Sequence, residues 1–224
     1  MANKTLSIIA VGINNLEINK RFVSSVRQYT SGDYELIFID NGSVDNASIK
    51  FIKTSADTYF RFDKTVSLAT AWNKGIELSK GAYLAVVNND IVVPLNWFAP
   101  LKEALNNDKK AGMVSPLTLW VLQQRFGNDL VKKFDKNFTK PYKLEKFKEI
   151  VWGEFMLFKR KALEDVGGFC ELYERASGED LEMLFELYSH GWDVYVDPRV
   201  FVYHEGGRSQ TGDIISKKDK DTYW

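Results

Sequence analysis

The chain has 224 residues, 45% hydrophobic and 27% charged, enough for one large domain or two small ones with an ordinary packed core. Its 30 Lys and Arg balance 30 Asp and Glu, which gives no support to nucleic-acid binding and provides no basic field for an anionic membrane. Cys170 is the only cysteine, so an intramolecular disulfide is excluded and the residue is read as small packing in a reducing compartment.

The first half alternates regularly. Leu6–Gly12 reads as a strand, and Glu17–Tyr29 carries Ile18, Phe22, Val26 and Tyr29 at helical spacing. Tyr34–Asp40 is a second strand, closed by the turn chemistry of Asn41-Gly42-Ser43. Ser48–Thr54 fits a short helix, Thr58–Phe62 a third strand, and Ser67–Ser79 a helix with Leu68, Ala71, Trp72 and Ile76 on its apolar face. Next comes Gly81-Ala-Tyr-Leu-Ala-Val-Val-Asn-Asn-Asp90, an apolar strand that ends on three polar side chains before Ile91-Val-Val-Pro94. A helix at about Leu95–Leu105 and a strand at Gly112–Pro116 follow. Such alternation predicts βαβ units and a largely parallel sheet with helices on both faces.

The pattern breaks between Leu119 and Ile150, a Lys-, Phe- and Asp-rich stretch read either as a solvated excursion or as a wall of an acceptor pocket. Order returns with a strand at Trp152–Phe158 and helices at Arg160–Val166 and Glu179–His190. Asp193–Asp197 and Val200–Tyr203 are expected as two short strands. No segment has a signal-peptide pattern or ~18 consecutive apolar residues, so the expectation is a cytoplasmic protein without a transmembrane segment, at most peripheral to the inner face of a membrane. The aromatic content of 14% leaves the oligomeric state open.

Four groups can carry chemistry. Asp40 ends a strand at the crevice where open α/β sheets bind ligands; it either accepts hydrogen bonds from a base or ribose or caps its own turn. Asp90 suits a hard divalent cation such as Mg²⁺ or Mn²⁺, which takes one or two carboxylates plus substrate phosphates, while the amides of Asn88 and Asn89 suit ribose or coordinated water. The competing role of Asp90, a helix cap, is disfavoured by the apolar run that follows. Asp180 opens a helical pattern, where acidic residues are favoured by the macrodipole, and is also a candidate general base. His204 ends another apolar run and precedes Gly206-Gly207-Arg208-Ser209, a loop able to close over phosphates with Arg208. His190, before Gly191, reads as a helix C-terminus.

In this order, the landmarks resemble the GT-A glycosyltransferases, in particular the inverting family 2, and among them bacterial rhamnosyltransferase-type members. The likeness spans nearly the whole chain: Gly12-Ile-Asn-Asn15, Phe38-Ile-Asp-Asn-Gly-Ser-Val-Asp45, Leu68-Ala-Thr-Ala-Trp-Asn-Lys-Gly75, the strand ending on Asp90, Lys159-Arg-Lys-Ala-Leu-Glu-Asp-Val-Gly-Gly-Phe169, Gly178-Glu-Asp180, and a late histidine. The resemblance implies a single GT-A domain over 1–224, Rossmann-like, with a mostly parallel mixed sheet. Residues 1–116 would form the donor half and 117–224 the acceptor and catalytic half. Asp40 would recognise the base, with Gly12 and Asn14 at the same end. Asn73 would lie near the donor, and Trp152 and Gly153 near the donor sugar or acceptor. Asn88-Asn89-Asp90 stands at the D-x-D motif, with Asp90 and His204 as metal ligands and Asp180 as the base. Asn88 departs from that motif, leaving it one carboxylate.

The implied reaction moves a sugar from a UDP-, dTDP- or GDP-linked donor to a hydroxyl of a carbohydrate or lipid-linked acceptor, with inversion and with Mn²⁺ or Mg²⁺, in surface polysaccharide or glycoconjugate synthesis. Two alternatives stand beside it. One is a non-catalytic nucleotide-sugar-binding protein, suggested by Asn88. The other is a sugar nucleotidyltransferase, disfavoured because Ala10–Asn15 lacks a basic phosphate loop.

Overall fold

The computed structural model describes residues 4–118, 141–143, 151, 153–173 and 178–204. Strands β1 (Leu6–Gly12), β2 (Tyr34–Asp40), β3 (Thr58–Arg61) and β4 (Tyr83–Asn88) alternate with helices α1 (Leu16–Tyr29), α2 (Asn46–Ser55) and α3 (Leu68–Leu78). They are followed by β5 (Ile91–Val92), α4 (Phe98–Asn107), β6 (Ala111–Leu117), β7 (Tyr142–Lys143), β8 (Phe155–Lys159), α5 (Arg160–Val166), α6 (Glu179–Ser189), β9 (Asp193–Phe201) and β10 (Tyr203–His204).

The main sheet has the order β3-β2-β1-β4-β8-β6-β9-β7. Strands β3, β2, β1 and β4 are mutually parallel, whereas β8 runs antiparallel to both neighbours, β4 and β6. The physical reason for the central place of β8 lies in its sequence: Phe155-Met-Leu-Phe158 is apolar on both faces, and all four side chains are buried. Asp193–Phe201 forms one nine-residue strand rather than two short ones, because β6 pairs with it in parallel across a register shift at Pro116/Leu117. Proline lacks the N–H that an unbroken ladder needs there.

Alternate residues of each strand feed opposite faces of the sheet. Ile9, Ile37, Val86, Met156 and Phe158 meet Trp72 of α3, Leu163 of α5 and Leu184 and Leu187 of α6. Ile8, Phe38, Val87, Phe155 and Leu157 meet Phe22 and Val26 of α1 and Leu101 and Leu105 of α4. The result is a three-layer α/β/α arrangement. Gly75 lets α3 lie directly on β1: a β-carbon there would come within 2.2 Å of Ile9 Cγ2. Among the described residues no helix is long and apolar enough to cross a membrane.

Candidate active site at the carboxyl edge of the sheet

The register sets Gly12 beside Asp40 and Val11 beside Asn88, so β2, β1 and β4 deliver their polar ends along one edge. At the β2 end, Asp40 is fully buried and closes its own turn. Its Oδ1 accepts from Ser43 N–H (2.9 Å), and Oδ2 faces Tyr59 Oη (3.3 Å) and Arg61 Nε (3.3 Å). Asn14 ties β1 to this turn: its N–H donates to Ser43 Oγ (2.7 Å), and its Oδ1 accepts from Val44 and Asp45 N–H (2.8 and 3.0 Å). Asn14 and Asn15 both adopt left-handed φ (50° and 56°), which asparagine tolerates better than most residues. Gly12 leaves no room for a side chain, since a β-carbon would stand 2.7 Å from Phe38 Cε1.

At the β4 end, Asn88-Asn89-Asp90 turns into β5 and caps no helix. Asn89 points inward, donating to Asn19 Oδ1 of α1 (2.7 Å). Asp90 is 6% exposed. The antiparallel pairing of β10 with β5 sets His204 opposite Ile91, and thereby brings its ring to Asp90. Nε2 stands 2.9 Å from Asp90 Oδ1, close enough for charge pairing but without hydrogen-bond alignment, so that buried Oδ1 has no hydrogen-bond partner. Burial disfavours the His204 cation, but the contact with Asp90 and then the charge of Glu154 outweigh it and hold the ring protonated above its usual range.

Glu154 was not among the candidates read from the sequence; a carboxylate interrupting the apolar run Val151–Phe158 was the available signal. It is 4% exposed, and its backbone carbonyl accepts from Asn88 N–H (3.0 Å). Burial pushes its carboxyl up to about 7; the charge of His204 and the Thr118 hydroxyl offset part of this, while Asp180 and Asp90 add to it. Glu154 therefore sits within electrostatic reach of Asp90, Asp180 and His204 together.

Asp180 lies in the first turn of α6, which starts at Gly178 in a left-handed conformation (φ 101°). It is 7% exposed. Its Oδ2 accepts from Gly153 N–H (2.8 Å) and Oδ1 from Leu181 N–H (2.8 Å). Burial raises its pKa above the ordinary aspartate value, and these backbone donors hold back part of that rise. Gly153 fits tightly: a β-carbon would meet Trp72 Cη2 at 3.0 Å and Asp180 Cβ at 3.3 Å. Asn73 is spent on the turn after α5, with Oδ1 accepting from Phe169 N–H (2.8 Å) and Nδ2 donating to Phe169 O (2.8 Å) and Glu171 Oε1 (2.7 Å). Trp152 and Arg208 lie outside the described residues, as does most of 119–150.

Asp90 and His204 converge as a pair able to hold a divalent ion, and the orphaned Oδ1 and the nearby imidazole are a fitting donor set for Mn²⁺. Among the described residues no three His, Cys, Asp or Glu side chains make a ready-made metal centre, so the pair suits an ion completed by substrate phosphates. A separate cavity of about 410 Å³, lined by Lys80, Lys159, Arg160 and Lys161, lies at the opposite end of β4. Three of its cations are engaged internally, Lys159 with Asp108 O, Arg160 with Gly81 O and Lys161 with Asp165, so it is not the place for chemistry.

The family model described as "Glycosyl transferase family 2" matches residues 7–167, more than half of the chain. No curated protein matches the sequence. Among solved structures, GalNAc-T7 with UDP, GalNAc and Mn²⁺ superposes with a TM-score of 0.75 at 19% identity, covering 98% of this chain and 47% of that one. The mannosyltransferase PcManGT from Pyrobaculum calidifontis, in complex with GDP-Man and Mn²⁺, gives 0.68 at 16% identity, covering 100% and 60%. The chain thus spans less than two thirds of the length of either, and at these identities the likeness is one of fold.

Proposed function

We propose, for a chain that belongs to glycosyl transferase family 2, that it transfers a sugar from a nucleotide-diphosphate donor to an acceptor hydroxyl with inversion at the anomeric carbon. The observation that carries this reading is the buried Asp180 carboxylate, fixed by backbone N–H groups and set with Glu154 near the Asp90–His204 pair.

An alcohol becomes a nucleophile as a positioned base takes its proton, and burial raises the Asp180 pKa in the direction that makes it the better acceptor. Its backbone donors, Gly153 and Leu181 N–H among them, fix the plane of the carboxylate that would meet the acceptor hydroxyl. The acceptor oxygen bonds to the anomeric carbon as the bond to phosphate breaks; the proton goes to Asp180 and the electron pair leaves with the nucleoside diphosphate. Attack opposite the leaving group inverts the centre, with oxocarbenium character in between. A divalent ion, Mn²⁺ or Mg²⁺, held by Asp90 and His204 would neutralise charge growing on the departing diphosphate.

Gly12, Asn14 and Asp40 would frame the base, with Asp40 acting through the turn it holds. Asn88 and Asn89 would shape the floor near the phosphates, with Trp152, Gly153 and Arg208 contributing to the donor pocket and Asn73 acting through the Phe169 turn it holds. The sequence resemblance to rhamnosyltransferase-type members supports a surface polysaccharide or glycoconjugate as the product, made at the cytoplasmic side. A thermal-shift screen of UDP-, dTDP- and GDP-sugars, with and without Mn²⁺, identifies the donor, and transfer to sugar or lipid-linked acceptors follows. Binding of no sugar nucleotide by the folded protein would sink the proposal. Binding without transfer or hydrolysis would favour the non-catalytic reading that Asn88 suggests.

A further inference from the structure

Carboxylates approach the ring of His204 from two sides: Asp90 Oδ1 stands 2.9 Å from Nε2 and Glu154 Oε1 stands 4.0 Å from Nδ1. Nδ1 and both Glu154 oxygens are buried without a well-aligned hydrogen bond, the Thr118 hydroxyl being the neighbour that favours the Glu154 anion. Buried polar groups in that state are costly, so such a pair is poised to engage. Asn88 Nδ2 lies 3.5 Å from Nε2. Nε2 therefore has both Asn88 and Asp90 on its side, and Nδ1 is the ring nitrogen left on the side of Glu154. The backbone fixes that side, since the carbonyl of Glu154 accepts from Asn88 N–H (3.0 Å) and holds the start of β8 level with the Asn-Asn-Asp turn.

Metal-ligating histidines commonly donate their second ring N–H to a carboxylate, which fixes tautomer and orientation. We infer that Glu154 is a positioning residue for His204: it accepts a hydrogen bond from Nδ1–H and holds Nε2, the nitrogen that would ligate an ion once it carries no proton, turned toward the space it shares with Asp90. The inference rests on the proposed metal-binding role of Asp90 and His204. It also gives a reason why Asn88 is tolerated. The turn itself carries one carboxylate, and Glu154, the residue before β8, places a second carboxyl group behind the imidazole rather than on the ion.

The test is a titration of Mn²⁺ alone into metal-free protein, with the free ion read by its electron paramagnetic resonance signal. The parent is compared with His204→Ala, Glu154→Ala, Glu154→Gln and the doubly substituted chains. Glu154→Ala is expected to weaken Mn²⁺ binding about 10- to 100-fold. Glu154→Gln, whose amide oxygen still accepts from Nδ1–H, loses less. Either effect vanishes in the His204→Ala background, an outcome that general damage to the fold would not produce. Parent-like affinity in Glu154→Ala, with His204→Ala binding weakly, overturns the positioning role and leaves the metal reading standing. Equal affinity in the parent and His204→Ala overturns both. Should Glu154→Ala not fold, Glu154→Gln carries the test, and an unchanged loss in the His204→Ala background overturns the inference.

Discussion

Replacing Glu154 by Gln should stabilise the metal-free protein at alkaline pH and leave it unchanged in acid. The side chain keeps its shape and loses only its ability to ionise. Folding moves the Glu154 carboxyl from 4.5 to about 7, chiefly because 4% exposure strips water from the anion. The folded state therefore binds this proton more tightly than the unfolded chain does. Stability from that preference is complete below about pH 4.5, drains away as pH rises, and is exhausted above about pH 7. At 1.36 kcal/mol per pH unit, the displacement amounts to about 3 kcal/mol carried by the parent at pH 8 and absent from the variant. For a chain of this size that corresponds to roughly 6–12 °C in melting temperature. Four neighbours set the balance: His204 and the Thr118 hydroxyl favour the anion, and Asp180 and Asp90 oppose it. Asp90 still faces His204 in both proteins, so much of the histidine's own titration cancels in the difference. The assay is urea or thermal unfolding of parent and variant in chelator, at pH 4 and pH 8. A gap that is independent of pH, or a variant less stable at pH 8, would refute the assignment of burial as the dominant cause.

Further outcomes concern the chemistry and its supports. Asp180→Asn should lower turnover roughly 10²–10⁴-fold while sparing donor binding, measured by initial rates beside calorimetry. In the parent, activity should fall with acid through a value above the usual aspartate range, because protonated Asp180 cannot accept the acceptor proton; a profile flat down to pH 4 would remove it as the base. Gly153→Ala should destabilise by about 1–3 kcal/mol and cut activity, since the added methyl stands 3.0 Å from Trp72 Cη2 and 3.3 Å from Asp180 Cβ. Asn73→Ala leaves both the N–H and the C=O of Phe169 without their 2.8 Å partners, a loss of about 1–3 kcal/mol readable in chemical denaturation.

How far the sequence could be read depended on how local each signal was. Strands β1, β2 and β4 are legible because both sheet faces are covered there and their sequences are largely apolar, as in Leu6–Gly12. The turn after β2 is legible because Asn41-Gly42-Ser43 is local turn chemistry, with Ser43 N–H donating to Asp40 Oδ1 three residues back. Asn73 was readable as a landmark, yet its work is to hold Phe169, far along the chain. Glu154 was passed over because nothing in the run around it shows that its strand is flanked by Asn88 on one side and reached by His204 on another.

By itself the sequence determined the βαβ alternation, the layered burial and the order of the polar landmarks, since apolar periodicity and turn chemistry act between residues close along the chain. Only the tertiary structure decided that β8 enters antiparallel between β4 and β6, and that β10 pairs with β5 to bring His204 to Asp90. It likewise decided that Glu154 stands behind that histidine and that Gly153 holds the Asp180 carboxylate. These are long-range pairings, set by which buried surfaces fit together, and periodicity carries no record of them.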